Sequence, residues 1–121
     1  MTIKYFFDSY AIISLIESND NYLPYLDCEI IINEFVYAEI CYYLERVNHS
    51  RKELLMQGYS EFVYSTDLEV IKKAMVFSNK WKKRKVSMAD CIGYLMAEEF
   101  GVKFLTGDKE FKNMENVEFV K

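Results

Sequence analysis

The segment Ile3–Ser9, with the sequence IKYFFDS, places Asp8 directly after a short apolar and aromatic run. A run of this length and composition predicts a buried strand. Four similar runs follow along the chain, at residues 29–32, 62–65, 102–106 and 117–120. Helical periodicity occupies most of the intervals between them. Strands that alternate with helices predict an α/β fold, with a largely parallel central sheet of about five strands and helices on both faces.

The predicted helices begin and end at residues that commonly cap helices. Asn33 is a candidate N-cap for the helix after the second strand, and Thr66-Asp67 opens a long helix. Ser87, with Asp90 three residues later, resembles a capping box, and Gly101 is placed to end the same helix. Further helices are predicted at residues 10–17, 50–58 and 109–114, and Pro24 is predicted in a first helical turn.

The composition fits one globular domain over residues 1–121. The chain is 51% hydrophobic and 28% charged, with four Gly and one Pro, which excludes a disordered or linker-rich protein. Its apolar runs are far shorter than the roughly 20 residues that cross a membrane. The first residues lead directly into a predicted strand without a signal peptide, so we expect a cytoplasmic protein.

Cysteine and histidine offer little for catalysis in this sequence. The three cysteines, Cys28, Cys41 and Cys91, form no C-x-x-C pair, which argues against a disulfide framework or a zinc ribbon. The single histidine, His49, lies in a polar stretch that is typical of a loop or a helix end. Mechanisms that need a Ser-His-Asp or Cys-His arrangement are therefore poorly supported.

Four acidic residues are candidates for a site at the carboxyl edge of the predicted sheet, where such folds place their ligands. Asp8 follows the first strand, Asp108 lies two residues after the fourth, and Asp90 occupies the first turn of the helix between them. Glu39 lies on or beside the apolar face of its helix, where an unpaired carboxylate is unfavourable. Four neighbouring carboxylates stay ionised only with a cation, and an all-oxygen site suits Mg²⁺ or Mn²⁺. Such an ion supports phosphodiester hydrolysis.

Each of these acids also has a purely structural explanation. Asp8 and Asp90 are suitable for capping helices, and Asp108 is suitable for an ordinary turn. Glu39 is suitable for an ion pair at the edge of a helix face. The hypothesis of a common site therefore depends on all four residues meeting at one end of one sheet.

A basic block stands out from the acidic remainder of the chain. Residues 80–85 hold five of the 15 Lys and Arg residues, although the net charge of the whole chain is −4. Such a cluster is common at a helix end, because cations favour a helix C-terminus. It also suits contacts with phosphates. The candidates for phosphate contacts are Lys82, Lys83, Arg84 and Lys85.

Four segments together resemble the acidic motifs of PIN domains, and most closely those of the small VapC-like toxins of type II toxin–antitoxin systems. They are Asp8-Ser9, residues 33–40 with Glu39, Ser87-x-x-Asp90 and Thr106-Gly107-Asp108. Phe111 and the last predicted strand also match the family's ending. The resemblance covers essentially the whole chain, and it rests on the order and spacing of the motifs more than on any single one.

The resemblance implies a PIN-like fold and an Mg²⁺- or Mn²⁺-dependent endoribonuclease, the toxin of a toxin–antitoxin pair. It further implies an RNA substrate, a homodimer and a cognate antitoxin protein that occludes the site. Under it, the phosphate role of the basic block becomes the favoured one. The implied metal-binding and catalytic residues are Asp8, Glu39, Asp90 and Asp108, with Ser9 and Thr106 supporting the site.

Two residues depart from the family pattern, and two other functions stay open. Tyr10 and Asn33 stand where small polar or hydroxyl residues are common, although neither change removes a ligand. One alternative is a PIN-like module that binds RNA or protein without cleaving. The other is a receiver-like domain, which needs paired acids after its first strand and a phosphoacceptor after its third. This chain has a lone Asp8 and Thr66-Asp67 at those places.

Overall fold

Five parallel strands form one sheet in the computed structural model, which describes residues 2–81 and 85–121. In chain order they are β1 (Lys4–Phe7), β2 (Glu29–Asn33), β3 (Val63–Tyr64), β4 (Lys103–Thr106) and β5 (Val117–Phe119). Their spatial order is β3-β2-β1-β4-β5, and every neighbouring pair is parallel. The predicted α/β fold with a parallel sheet is confirmed.

The described residues also form five α-helices and two short 3₁₀ helices. The α-helices are α1 (Ser9–Ile16), α2 (Glu34–Arg46), α3 (Lys52–Ser60), α4 (Leu68–Lys80) and α5 (Met88–Glu99). The 3₁₀ helices are Asp20–Tyr25 and Lys109–Phe111. Helix α1 packs against α2, α2 against α3, and α4 against α5. Across residues 2–81 and 85–121, none of the helices combines the length and the apolar character needed to cross a membrane.

The central strand β1 and its neighbour β4 carry the core on both faces of the sheet. Phe6 pairs in register with Phe104, their rings stack with centroids 5.9 Å apart, and both side chains are fully buried. They lie against α5, where a Cβ added to Gly93 would stand 2.9 Å from the Phe6 ring. Successive side chains alternate between faces, so Tyr5 lies on the other face, where Tyr25 packs against it.

The strand order places a switch point at β1. Strand β2 pairs with one edge of β1 and β4 with the other, so the chain runs outward in both directions from the centre of the sheet. Parallel sheets bind their ligands in the crevice beyond the carboxyl ends of the strands at such a point. A receiver-like sheet has its third strand beside its first, whereas β3 lies at the edge here. The receiver-like alternative therefore does not fit this topology.

The predicted caps are confirmed by hydrogen bonds and backbone angles. Asn33 accepts a hydrogen bond from the Val36 amide at 2.9 Å and begins α2. Ser87 accepts one from the Asp90 amide at 3.1 Å and begins α5. Gly101, with φ of +70°, follows the end of α5 in the left-handed region that favours glycine.

In two segments the helix differs from the predicted one in its type, its length or the position of a residue within it. Residues 109–114 were predicted as a short helix, but only Lys109–Phe111 form a 3₁₀ helix, whose end is fixed by the fully buried Phe111 ring. Pro24 was predicted in a first helical turn, yet it is the fifth residue of the 3₁₀ helix Asp20–Tyr25. Tyr22 in the same helix is fully buried, so tertiary packing decides where this helix lies.

Candidate active site

The four predicted acidic residues line one pocket of about 370 Å³. Asp8 is the single residue between β1 and α1, and Asp108 lies two residues beyond β4. Asp90 is in the first turn of α5, and Glu39 is in the middle of α2. The ends of β1 and β4 meet at the same edge because the strands are parallel neighbours. The pocket is completed by Ser9, Tyr10, Gly107, Lys109 and Lys121.

Thr106 connects two of the acids through its buried hydroxyl group. The hydroxyl donates a hydrogen bond to Asp8 Oδ2 at 2.5 Å and accepts one from the Asp108 amide at 3.0 Å. Both Thr106 and Asp8 are almost completely removed from solvent. The end of β4 is therefore fixed to the end of β1 by a side-chain bridge as well as by the backbone bond from the Asp8 amide to the Leu105 carbonyl.

Asp8 is the most strongly perturbed carboxyl group of the pocket. Burial raises its pKa from 3.8 to about 7, against the opposing effect of the hydrogen bonds from Thr106 and the Ala11 amide. The charges of Asp90 and Asp108 raise the pKa further. A carboxyl group so far from its ordinary pKa, in a cleft with other acids, is typical of a functional site.

Asp90 and Glu39 show the same direction of perturbation. Burial raises the pKa of Asp90, and the charge of Asp108 adds to this, while hydrogen bonding with Ser87 opposes it. Burial also raises the pKa of Glu39, the charge of Asp90 adds to this, and a hydrogen bond with Ser9 opposes it. The acids therefore interact electrostatically across the pocket.

The position of Glu39 differs from the prediction in one respect. The sequence placed Glu39 on or beside an apolar helix face, whereas the residue is exposed at the rim of the pocket, next to Ser9. The helix face toward the core is carried instead by Val36, Ile40 and Leu44. The residue as a whole is thus exposed, while its carboxyl group is partly removed from water at the pocket, which raises its pKa.

The capping roles that compete with the functional explanation are also present. Asp8 accepts a bond from the Ala11 amide at 3.0 Å, and Asp108 accepts one from the Glu110 amide at 3.0 Å. A cap does not need to be buried, as Asp67 shows, because it begins α4 while exposed. The burial of Asp8 beside other acids is therefore not explained by capping.

The donor set suits a hard cation in its chemistry, although the side chains do not enclose one. Carboxylate oxygens are the ligands that Mg²⁺ and Mn²⁺ prefer. Within residues 2–81 and 85–121, however, no three Asp, Glu, His or Cys side chains are arranged as a group that could hold a metal ion. An ion in this pocket would thus be held by few protein ligands with water or substrate oxygens completing its shell, as Mg²⁺ commonly is.

The remaining site residues differ in how the sequence and the structure assign them. Ser9 lines the pocket, and Thr106 lies beneath it. Of the basic block, residues 82–84 (Lys82, Lys83 and Arg84) lie outside the described residues, and Lys85 is exposed and is not part of the pocket lining. The sequence did not suggest Lys109 or Lys121 as site residues, although the position of Lys109 directly after Asp108 was a usable signal.

A comparison with models of known protein families identifies the family of this chain. Residues 5–117 match the model of the PIN domain. The chain belongs to the PIN domain family. No curated protein matches the sequence of this PIN domain significantly.

Solved structures share the fold of this PIN domain at low sequence identity. A toxin–antitoxin complex from Klebsiella pneumoniae matches with a TM-score of 0.78 and 13% identity, over 94% of this chain and 95% of that one. The Mycobacterium tuberculosis toxin VapC20, which cleaves the sarcin–ricin loop, matches with a TM-score of 0.79 and 16% identity, over 97% and 99%. VapBC-1 of nontypeable Haemophilus influenzae matches with a TM-score of 0.72 and 16% identity, over 97% and 96%.

Proposed function

We propose that this PIN domain is an endoribonuclease that hydrolyses RNA phosphodiesters with the help of Mg²⁺ or Mn²⁺. The observation that supports this most directly is the pocket lined by Asp8, Glu39, Asp90 and Asp108, which come from four separate segments of the chain. The family to which the chain belongs is one of nucleases, and its neighbours of similar fold include an RNA-cleaving toxin.

Asp8, Glu39, Asp90 and Asp108 are the residues from which an ion in the pocket would take its few protein ligands. When bound, Mg²⁺ or Mn²⁺ supplies a Lewis acid for a phosphodiester oxygen and lowers the pKa of a water molecule. Thr106 keeps the Asp8 carboxylate in place through its hydroxyl group, and it fixes the backbone of Asp108 at the same time. Ser9 lies beside Glu39 in the pocket wall and favours its charged form, which lowers the pKa of Glu39 against the effect of burial. These supporting contacts hold the carboxylates before the substrate arrives, which lowers the reorganisation needed during the reaction.

The biological setting proposed here is that of a toxin in the cytoplasm. We infer a homodimer, an antitoxin protein that blocks the pocket, and a fold of one domain over residues 1–121. The support is the family membership together with similar folds in complexes from Klebsiella pneumoniae and Haemophilus influenzae. Within the basic block, Lys82, Lys83, Arg84 and Lys85 remain the proposed phosphate contacts.

Incubating the purified chain with total cellular RNA tests the proposed activity. We expect cleavage in Mn²⁺ or Mg²⁺ and none with a chelator. Asp90→Asn keeps the shape of the side chain but removes its charge, so we expect cleavage to fall by more than the roughly 10- to 100-fold that supporting residues typically contribute at metal sites. Asp67→Asn is the matched control, because Asp67 is an exposed helix cap outside the pocket.

Two results would contradict the proposal. One is a wild-type protein that binds RNA but leaves it intact with either ion. The other is an Asp90→Asn variant that cleaves as fast as Asp67→Asn. A thermal-shift titration separates metal binding from cleavage, because an ion that binds only the native state stabilises it by about 2.7 kcal/mol at a hundredfold excess over Kd.

A binding module without activity is the second candidate. The observation in its favour is that the described acids do not by themselves form a group able to hold a metal ion. A module of this kind would bind RNA or a protein partner equally well with and without Mn²⁺. The ribonuclease instead predicts that RNA binding strengthens when the ion offsets the negative charge of the pocket.

A further inference from the structure

Two lysines stand in the wall of the acidic pocket. Lys109 and Lys121 line it together with the four carboxylates. Four ion pairs link Lys to Glu side chains in the part of the chain that the structure describes, and neither pocket lysine belongs to any of them. Both lysines are exposed. The two lysines therefore share a pocket with the acids without forming a salt bridge to them.

Both lysines are placed by well-defined backbone contacts. Lys109 follows Asp108 and begins the 3₁₀ helix Lys109–Phe111, which the Asp108 side chain caps. Lys121 follows β5, where the Val120 amide donates to the Thr106 carbonyl at 2.9 Å. The Lys121 segment is thus tied to the same residue that holds Asp8.

The 3₁₀ helix Asp20–Tyr25 fixes the Lys121 segment from the other side. The Tyr22 hydroxyl donates to the Val120 carbonyl at 2.6 Å. The Asn21 side-chain Nδ2 donates to the Lys121 carbonyl oxygen at 2.9 Å. These three hydrogen bonds hold the backbone of Val120 and Lys121, so the fold keeps Lys121 in the wall of the pocket.

A carboxylate pocket presents a difficulty for a polyanionic substrate. Carboxylates repel phosphates, and a bound divalent ion offsets only part of their charge. Cationic side chains at the rim have opposite effects on the two ligands, because they weaken binding of a metal ion and strengthen binding of a phosphate. Lysines that form no salt bridge with the nearby acids are suited to binding a phosphate.

We propose that Lys109 and Lys121 are positioning residues that bind phosphates flanking the cleaved bond of single-stranded RNA. This inference rests on the proposed ribonuclease function and deepens it by naming where the RNA backbone contacts the pocket. The lysines act through charge, because a single ammonium group binds phosphate without reading the base. They serve the same chemistry as the basic block but at other positions in the sequence.

Cleavage kinetics of a random-sequence single-stranded RNA test the proposal in Mn²⁺. The variants are Lys109→Gln and Lys121→Gln, with Lys109→Arg and Lys121→Arg as charge-preserving versions. Lys72→Gln is the matched control, because Lys72 is an exposed lysine on α4 that does not line the pocket. For each protein we would measure kcat, KM and the dependence of kcat/KM on salt concentration, with Mn²⁺ affinity measured separately.

We expect KM to rise several-fold in each Gln variant while kcat stays within about twofold of wild type. The slope of log(kcat/KM) against log salt concentration should become shallower by about 0.7 for each phosphate that the variant no longer neutralises. The Arg variants should restore both quantities. Mn²⁺ should bind the Gln variants as tightly as wild type or more tightly, because a positive charge near the ion has been removed.

The possible results separate this inference from the function on which it rests. If the wild type cleaves, but the Gln variants match Lys72→Gln in KM and salt slope, the inference is wrong and the ribonuclease stands. If the Gln variants bind Mn²⁺ more tightly with no change toward RNA, the lysines only offset the charge of the acids, which also overturns it. If the wild type does not cleave, both proposals are overturned.

Discussion

Replacing Asp8 by asparagine removes the charge of a carboxyl group that is only 3% exposed, and the effect on stability should depend strongly on pH. In the folded chain the pKa of Asp8 is raised from 3.8 to about 7. Between those values the folded state binds a proton that the unfolded state has lost. Asp8 therefore costs no free energy of unfolding below pH 3.8, and the cost grows as the pH rises toward 7.

The size of the effect follows from the same shift. Each pKa unit corresponds to about 1.4 kcal/mol, so Asp8 removes about 4 kcal/mol of stability above pH 7 in the absence of metal. The asparagine side chain of Asp8→Asn would keep the bond from the Ala11 amide, but it would reverse the polarity of the contact with Thr106, which costs about 1 kcal/mol. We expect Asp8→Asn to be more stable than wild type by about 3 kcal/mol at pH 8.

Urea denaturation followed by circular dichroism, with a chelator present and at several values between pH 5 and pH 8, measures this difference. The gain should shrink as the pH falls, because the wild-type carboxyl group becomes neutral. Asp67→Asn, at the exposed cap of α4, should show no comparable change with pH. With Mn²⁺ added, wild type should regain stability and Asp8→Asn should regain less.

Two outcomes would contradict this prediction. If wild type and Asp8→Asn differ by the same free energy of unfolding at pH 5 and at pH 8, the Asp8 carboxyl group is not strained by burial in the folded chain. If the variant is less stable at every pH, the hydrogen bonds of the carboxylate outweigh its burial. Either result would refute the electrostatic argument for the pocket.

The remaining predictions concern two residues that support the site, Thr106 and Gly107, and one outside the pocket, Gly101. Thr106→Val should destabilise the fold by about 1–3 kcal/mol, because it leaves the buried Asp8 carboxylate without its hydroxyl donor, and Thr106→Ser should restore most of the loss in urea denaturation. Gly107→Ala should reduce both stability and cleavage, since its Cβ would overlap the Tyr10 ring, and a Tm equal to wild type would contradict this. Gly101→Ala, in open space with φ of +70°, should cost about 1 kcal/mol in urea denaturation while leaving the Mn²⁺ response unchanged.

Much of the fold is predictable from local sequence patterns, because each strand and helix carries its own signal. The apolar run before Asp8, the cap at Asn33 and the glycine at position 101 are all interactions between residues close in sequence. The prediction failed at Pro24, where the burial of Tyr22 decides the structure. That burial depends on residues far along the chain, which no local pattern contains.

The candidate site is predictable to the extent that it follows from topology. Asp8 and Asp108 were found because residues after parallel strands gather at one edge. The exposure of Glu39 at the rim was missed. A helical pattern gives the direction of a side chain around the helix axis, but not how far neighbouring elements cover it. Lys121 was also missed, since its place depends on hydrogen bonds to Asn21 and Tyr22, about one hundred residues earlier.

The bond between Thr106 and Asp8, which joins residues 98 apart in the chain, has a consequence during protein synthesis. Strand β1 leaves the ribosome first, but its neighbour β4 is made almost last among the strands. Pairings of this kind form late, because the intervening chain must be present before they can close. A growing chain thus holds Asp8 without its hydroxyl partner and without Asp108. For the proposed ribonuclease, the pocket that would carry the activity is therefore incomplete until residues 103–108 have been synthesised.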